Sequence, residues 1–207
     1  MKTINLWTQA EVDAFVGTEI KGNLTIEGPD IDNLEPLSTL ISVSGDLFIQ
    51  YNDLFTNLDG LRNLTSVGGY LWIENNPTLT NLDGLSNITS VNGNLWIENN
   101  DSLTNIEGLS KITSVGGELR IENNPSLTNL NGLSNLTSVG ENLSIYRNAA
   151  LTNIEGLSNI TSVNGNLWIE NNDSLPNING LSNLTSVNGE LFIRHFTTHT
   201  SIDSLSN

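Results

Sequence analysis

The chain contains no cysteine, and lysine and arginine together account for only 7 of its 207 residues. The first absence removes disulfides and thiolate metal sites and leaves the compartment open. The second, set against 23 aspartates and glutamates, gives a formal net charge of -16. A field of that sign repels phosphate backbones and anionic lipid surfaces, so nucleic acid is disfavoured as a partner. Membrane insertion is disfavoured too, because no run approaches the roughly 18 apolar residues of a spanning helix. The opening MKTINLWTQAEVDAF lacks the apolar stretch of a secretion signal. Histidine is confined to His195 and His199 near the C-terminus, so a catalytic base has few sources. Gly-Gly pairs such as Gly68-Gly69 have no Lys-Ser/Thr partner and are turns rather than phosphate loops. No cofactor, no metal and no enzymatic activity are expected.

What is abundant is asparagine, and it recurs at a fixed interval. A Leu-x-Ile core occurs at Leu24/Ile26, Leu47/Ile49, Leu71/Ile73, Leu95/Ile97, Leu119/Ile121, Leu143/Ile145, Leu167/Ile169 and Leu191/Ile193. The first step is 23 residues and each later one is 24. The segment from Ile88 to Leu103 is repeated without change from Ile160 to Leu175, three steps later. A constant period of this length marks a solenoid in which each coil is buried against its neighbours. The period-two alternation around Leu-x-Ile marks a short strand with Leu and Ile inward. The expected fold is therefore a right-handed parallel β-solenoid of about eight coils.

Within one coil, Leu79, Leu82, Leu85, Ile88, Val91, Leu95 and Ile97 form the inward set. Each is worth roughly 1.5–3 kcal/mol on full burial, and no single coil can bury them alone. Asn52, Asn76, Asn100, Asn124, Asn148 and Asn172 sit three residues after each Ile. At that turn a buried amide can satisfy donors and acceptors of its own and adjacent coils. These six are assigned as a structural ladder, and the row Asn57, Asn81, Asn105, Asn129, Asn153 and Asn177 is expected to behave likewise. Gly60, Gly84, Gly108, Gly132, Gly156 and Gly180 mark a turn needing positive φ or close backbone approach. Thr-Ser pairs, Thr65-Ser66 among them, read as a hydrogen-bonded corner.

Residues 1–21 read as an N-terminal cap. Thr8 and Glu11 fit a capping box, Val12 can staple onto Trp7, and Phe15 and Val16 extend an apolar face, giving a short helix over 8–16. The eight-strand solenoid spans 22–194. Residues 195–207 break the pattern and read as an irregular cap or a truncated coil.

The stretches EIKGNLTIEG, VGGYLWIENNPTLTNLDGL and VGGELRIENNPSLTNLNGL resemble the receptor L-domain, the ligand-binding lobe of insulin and epidermal growth factor receptors. The opening TQAEVDAF…TEIKGNLTIEGPDI is similar to the first repeat of multi-repeat bacterial surface proteins. The resemblance implies a solenoid, display outside the cell or at its surface, and a binding role. The absence of cysteine and the near-identity of the coils set this chain beside the bacterial arrays, so no hormone-contacting residue is carried over.

With Leu and Ile inward, the residues between and beside them face solvent. That face carries Phe48, Tyr70, Trp72, Trp96, Trp168 and Phe192, with Arg120 and Ser144 dividing the aromatics into two groups. Glu74, Glu98, Glu122 and Glu170 form an acidic row, and Tyr146 lies in the same line. Stacked glutamates cost about 0.9 kcal/mol per pair in water, a tolerable repulsion that Arg120 partly relieves. Contiguous exposed aromatics rimmed by polar groups mark interaction sites. The sequence thus favours a non-enzymatic extracellular binding or adhesion module for a protein or glycan, with self-association through the aromatic face as a variant. A structural spacer within a larger surface protein is the alternative, and ice binding through Thr-Ser rows comes third.

Overall fold

The computed structural model of the protein describes residues 3–194. Two parallel sheets run its length, one of nine strands and one of eight, each with strands in simple chain order. A typical coil contributes a four-residue strand such as Leu71–Glu74 to the long sheet, a 3-10 turn such as Asp83–Leu85, and a two-residue strand such as Ser90–Val91 to the narrow sheet. The register repeats the sequence period: Leu71, Trp72, Ile73 and Glu74 lie opposite Leu95, Trp96, Ile97 and Glu98. Consecutive coils joined in this sense give the right-handed β-solenoid that the period implies.

The seven aliphatics expected inward in the coil from Leu79 to Ile97 are all buried, none more than 1% exposed. The same set continues through the other coils as one core as far as the last described coil. There Leu184, Val187 and Ile193 are only partly buried, and Leu191, expected inward, is 50% exposed because no described coil covers it. The asparagine ladder is equally complete. Asn100 donates through Nδ2 to the carbonyls of Ile73 (3.1 Å) and Glu98 (2.9 Å), and its Oδ1 accepts from the main-chain N–H of Asn76 at 3.2 Å. Asn52, Asn76, Asn100, Asn124, Asn148 and Asn172 are all fully buried.

The structure corrects several sequence expectations. The row of Asn57, Asn81 and Asn105 is not a buried ladder; each Oδ1 instead accepts from a main-chain N–H two residues on, as Asn57 does from Asp59 at 3.0 Å, and so starts a 3-10 turn locally. A second inter-coil ladder does exist, at the start of the long strands. There the side-chain oxygens of Asn23, Asp46, Asn94, Asn142 and Asn166 accept from the main chain of the following coil. The glycines in the 3-10 turns have negative φ. They are needed for close approach: a Cβ on Gly108 would lie 1.8 Å from the Leu82 carbonyl oxygen.

At the N-terminus, a strand precedes the helix. This strand, β1 (Ile4–Leu6), pairs with Leu24–Ile26 and makes the long sheet nine-stranded rather than eight. The helix α1 (Gln9–Asp13) is shorter than expected, but Thr8 and Glu11 form the capping box. Val12 is buried and Phe15 packs on the core, whereas Val16 is 95% exposed and covers nothing. Residues 195–207, with His195 and His199, lie outside the described residues.

Candidate ligand-binding face

The outward face of the long sheet is built by register. Because every strand starts at the same point of its coil, equivalent side chains stack at about the 4.8 Å strand spacing. Phe48, Trp72 and Trp96 form one line, with Phe48 edge-on to Trp72 at 6.1 Å and Trp72 edge-on to Trp96 at 4.9 Å. Tyr70 stacks beside Trp96 at 6.2 Å. The Arg120 guanidinium lies over the Trp96 ring at 5.0 Å, so Arg120 extends the aromatic row instead of ending it. Cation and ring attract through the negative face of the indole. The true break is at Ser144, which is buried and donates to Glu118 Oε1 at 3.1 Å.

This packing changes the character of the face. Trp72 and Trp96 are only half-exposed, and their indole N–H groups are covered, with no protein acceptor among the described residues. Side chains spaced one strand apart cover one another, so the row expected to be open is largely self-shielded. Among the face aromatics, Tyr70 at 42% and Trp168 at 39% stay exposed. Trp168 meets Phe192 edge-on at 5.8 Å in the second group.

The acidic row is more strongly compensated than its spacing suggests. Arg120 bridges Glu98 at 3.4 Å and Glu118 at 3.2 Å, Arg147 reaches Glu122 at 3.4 Å, and Arg194 reaches Glu170 at 3.2 Å. Gln50 donates to Glu74 at 3.3 Å. Tyr146 donates its hydroxyl to Glu122. Burial raises the pKa of Glu98, an effect the Arg120 charge offsets only in part, and burial likewise raises that of Glu74. The Tyr146 hydroxyl is pushed up by burial and by its bond to Glu122, so it remains a donor at neutral pH.

One edge of the face went unread in the sequence. The residues just before the ladder asparagines, Tyr51, Asn75, Asn99, Asn123, Arg147 and Asn171, all have positive φ, between 50° and 58°. Asparagine tolerates this conformation, and the repeated Glu-Asn-Asn triplet was its signal; tyrosine and arginine do not adopt it readily. These corner residues border two depressions. An open groove of about 540 Å³ runs past Tyr51, Asn75, Asn99 and Asn123. A smaller open pocket of about 210 Å³ is lined by Tyr146, Arg147, Trp168, Glu170 and Asn171.

The structure therefore gathers Phe48, Tyr70, Trp72, Glu74, Trp96, Glu98, Arg120, Glu122 and Tyr146 into one connected patch, and Trp168, Glu170 and Phe192 into a second beside Tyr146. Among the described residues, no three His, Asp or Glu side chains are grouped to hold a metal ion. The Thr65, Thr137 and Thr185 hydroxyls donate to carbonyls of the preceding coil, at 3.1, 3.1 and 2.9 Å, which makes the Thr-Ser row a bonded corner.

Fold and face together define a parallel β-solenoid with a polar-aromatic sheet surface, a repeat architecture that presents side chains on a rigid frame. The receptor L domain model matches residues 18–107 and again 87–156, and the chain belongs to that family. This is a family of binding domains. No individually curated protein matches the chain. Among the described residues, no helix is long and apolar enough to cross a membrane.

Proposed function

We propose that this protein is a non-enzymatic binding or adhesion module, displayed outside the cell or at its surface, that engages a protein or glycan through the long sheet's outward face. The observation that carries this reading is Trp168, an indole kept 39% exposed on a face where Trp72 and Trp96 are mutually covered. Arg147 and Arg194 pair with Glu122 and Glu170 beside it, which sets charged and polar groups around the exposed ring. An exposed aromatic rimmed by polar groups is the composition of an interaction site. The charge of -16 disfavours nucleic acid and anionic membranes as that partner.

The test is a binding screen against whole cells, immobilised glycans and basic proteins, with the wild type and a Tyr70→Thr/Trp168→Thr variant. Threonine keeps strand propensity and removes the two exposed rings. The reading expects a folded variant whose binding falls by about tenfold or more, as for interface aromatics. Unchanged binding would place the contact away from these two rings, and no binding by the wild type in any panel would favour the alternative of a structural spacer. That second reading rests on a specific observation too, the self-shielding of Trp72 and Trp96. Ice binding is not favoured, because the Thr hydroxyls of the candidate rows donate to backbone carbonyls.

A further inference from the structure

The pocket beside Trp168 differs from the rest of the face in three respects. It has an exposed indole, it is bordered by the strained left-handed residue Arg147 (φ 58°), and it offers planar polar groups in Arg147, Glu170 and Asn171. At about 210 Å³ it is smaller than the roughly 300–1,000 Å³ of pockets for drug-sized ligands, and it suits a single ring. A second depression, lined by Trp168, Glu170, Phe192 and Arg194, opens on the other side of the same indole. The ring is thus a wall shared by two adjoining subsites.

From this geometry we infer that Trp168 stacks against a pyranose unit of a neutral glycan, with Arg147, Glu170 and Asn171 bonding its hydroxyls. The inference rests on the binding-module reading above and names its ligand. Three physical arguments select this chemistry. The face of an indole is negative and attracts the weakly positive C–H groups of a sugar ring. Amide, carboxylate and guanidinium groups present paired donors and acceptors that match adjacent hydroxyls, and bonds involving the charged ones are strong. The local charges cancel, since Arg147 pairs with Glu122 and Arg194 with Glu170, while the whole chain is at -16; an anionic sugar gains little here.

A protein partner fits less well. Protein interfaces depend on a contiguous central cluster of anchors, and here Tyr70 and Trp168 are separated by the self-covered Trp72 and Trp96, by Arg120, and by buried Ser144. The corner row continues toward the larger groove, where Asn123 donates to Asn99 at 2.7 Å. Those amides recur once per coil, at about 4.8 Å, so a linear glycan seated at Trp168 has further polar contacts along its path.

The experiment uses the wild type, Trp168→Thr, Arg147→Asn and, as a control on a 3-10 turn away from the face, Glu155→Gln. Each is applied to an array of neutral and anionic glycans. Soluble cellopentaose, chitopentaose and mannopentaose are then titrated while the indole N–H resonances are followed by NMR. The expected result is binding to neutral glycans that shifts the Trp168 indole signal. Trp168→Thr weakens that binding by about tenfold or more, and Arg147→Asn weakens it by about tenfold. Glu155→Gln leaves it unchanged. Arg147→Asn relieves the left-handed strain, so it lowers affinity while raising the denaturation midpoint, a combination that loss of folding cannot produce. Binding to anionic glycans alone, or neutral binding that survives Trp168→Thr, overturns the inference. If no glycan binds but a protein is captured and then lost in Tyr70→Thr/Trp168→Thr, the saccharide assignment fails and the binding-module reading stands.

Discussion

Asn100 donates to two carbonyls and accepts from the main chain of the preceding coil, all in full burial, whereas half-exposed Asn105 caps its own turn at Glu107 N and donates to the adjacent Thr104 hydroxyl. Asn100→Ala leaves several buried groups unpaired and is expected to cost about 1–3 kcal/mol or more. Asn105→Ala should cost well under that, and urea midpoints for the two variants provide the check. The left-handed corner gives the opposite sign. Tyr51 is exposed at φ 54°, so Tyr51→Asn removes strain with little loss of packing and should stabilise the fold by about 1 kcal/mol. A lower midpoint for that variant would mean that Tyr51 contributes packing its exposure does not suggest. Glu98 makes a prediction about pH. Its carboxyl is raised above the ordinary value of 4.5, chiefly by burial, so the folded state binds its proton more tightly than the unfolded chain does. Its contribution to stability is therefore present in acid below that value and lost as pH rises through the folded pKa. Glu98→Gln should accordingly gain stability relative to the wild type at neutral pH, with the difference shrinking toward acid, as parallel melts across the range will report.

Among the elements, the 3-10 turn has the least tolerance. Gly108 packs its α-carbon against the Leu82 carbonyl, and Gly108→Ala is expected to cost about 3 kcal/mol or more through overpacking. Gly17→Ala meets only the Phe15 ring at 3.4 Å and should be nearly neutral by thermal melt. The long strands and the Asn100-type ladder were legible in the sequence because each repeats one residue type at one interval. Other elements were hidden for definite reasons. Strand β1 carries an Ile-x-Leu pair, but it lies 20 residues before Leu24, off the period, because helix α1 replaces part of a coil. The Ser-Val strands are two residues long, too short to show alternation. The outward position of Trp72, Trp96 and Trp168 was readable from period two. Their unequal exposure was not, since it depends on what the neighbouring coils carry: a ring and Arg120 on the two sides of Trp96, but a ring and a buried serine on the two sides of Trp168.

On the scale of the whole molecule, each coil touches only its neighbours, so stability is a sum of coil and interface contributions. Deleting residues 100–123 joins Asn99 to Asn124 and restores the same register one coil shorter. That variant should fold with an unchanged circular dichroism spectrum per residue and a modestly lower melting temperature. Deleting 100–111, half that length, puts core positions and ladder asparagines out of line and should not yield a folded protein. If both deletions behave alike, the ladder does not set the register.

The identity of Ile88–Leu103 with Ile160–Leu175 has a consequence for inheritance. Where the stretches of gene that encode such segments also match in nucleotide sequence, they can pair with each other during recombination. A crossover between these two changes the product by 72 residues, which is three whole coils and therefore leaves every rung matched to the next. Here the architecture turns such an event into a longer or shorter array, with the pocket at Trp168 copied, shifted or removed as a unit.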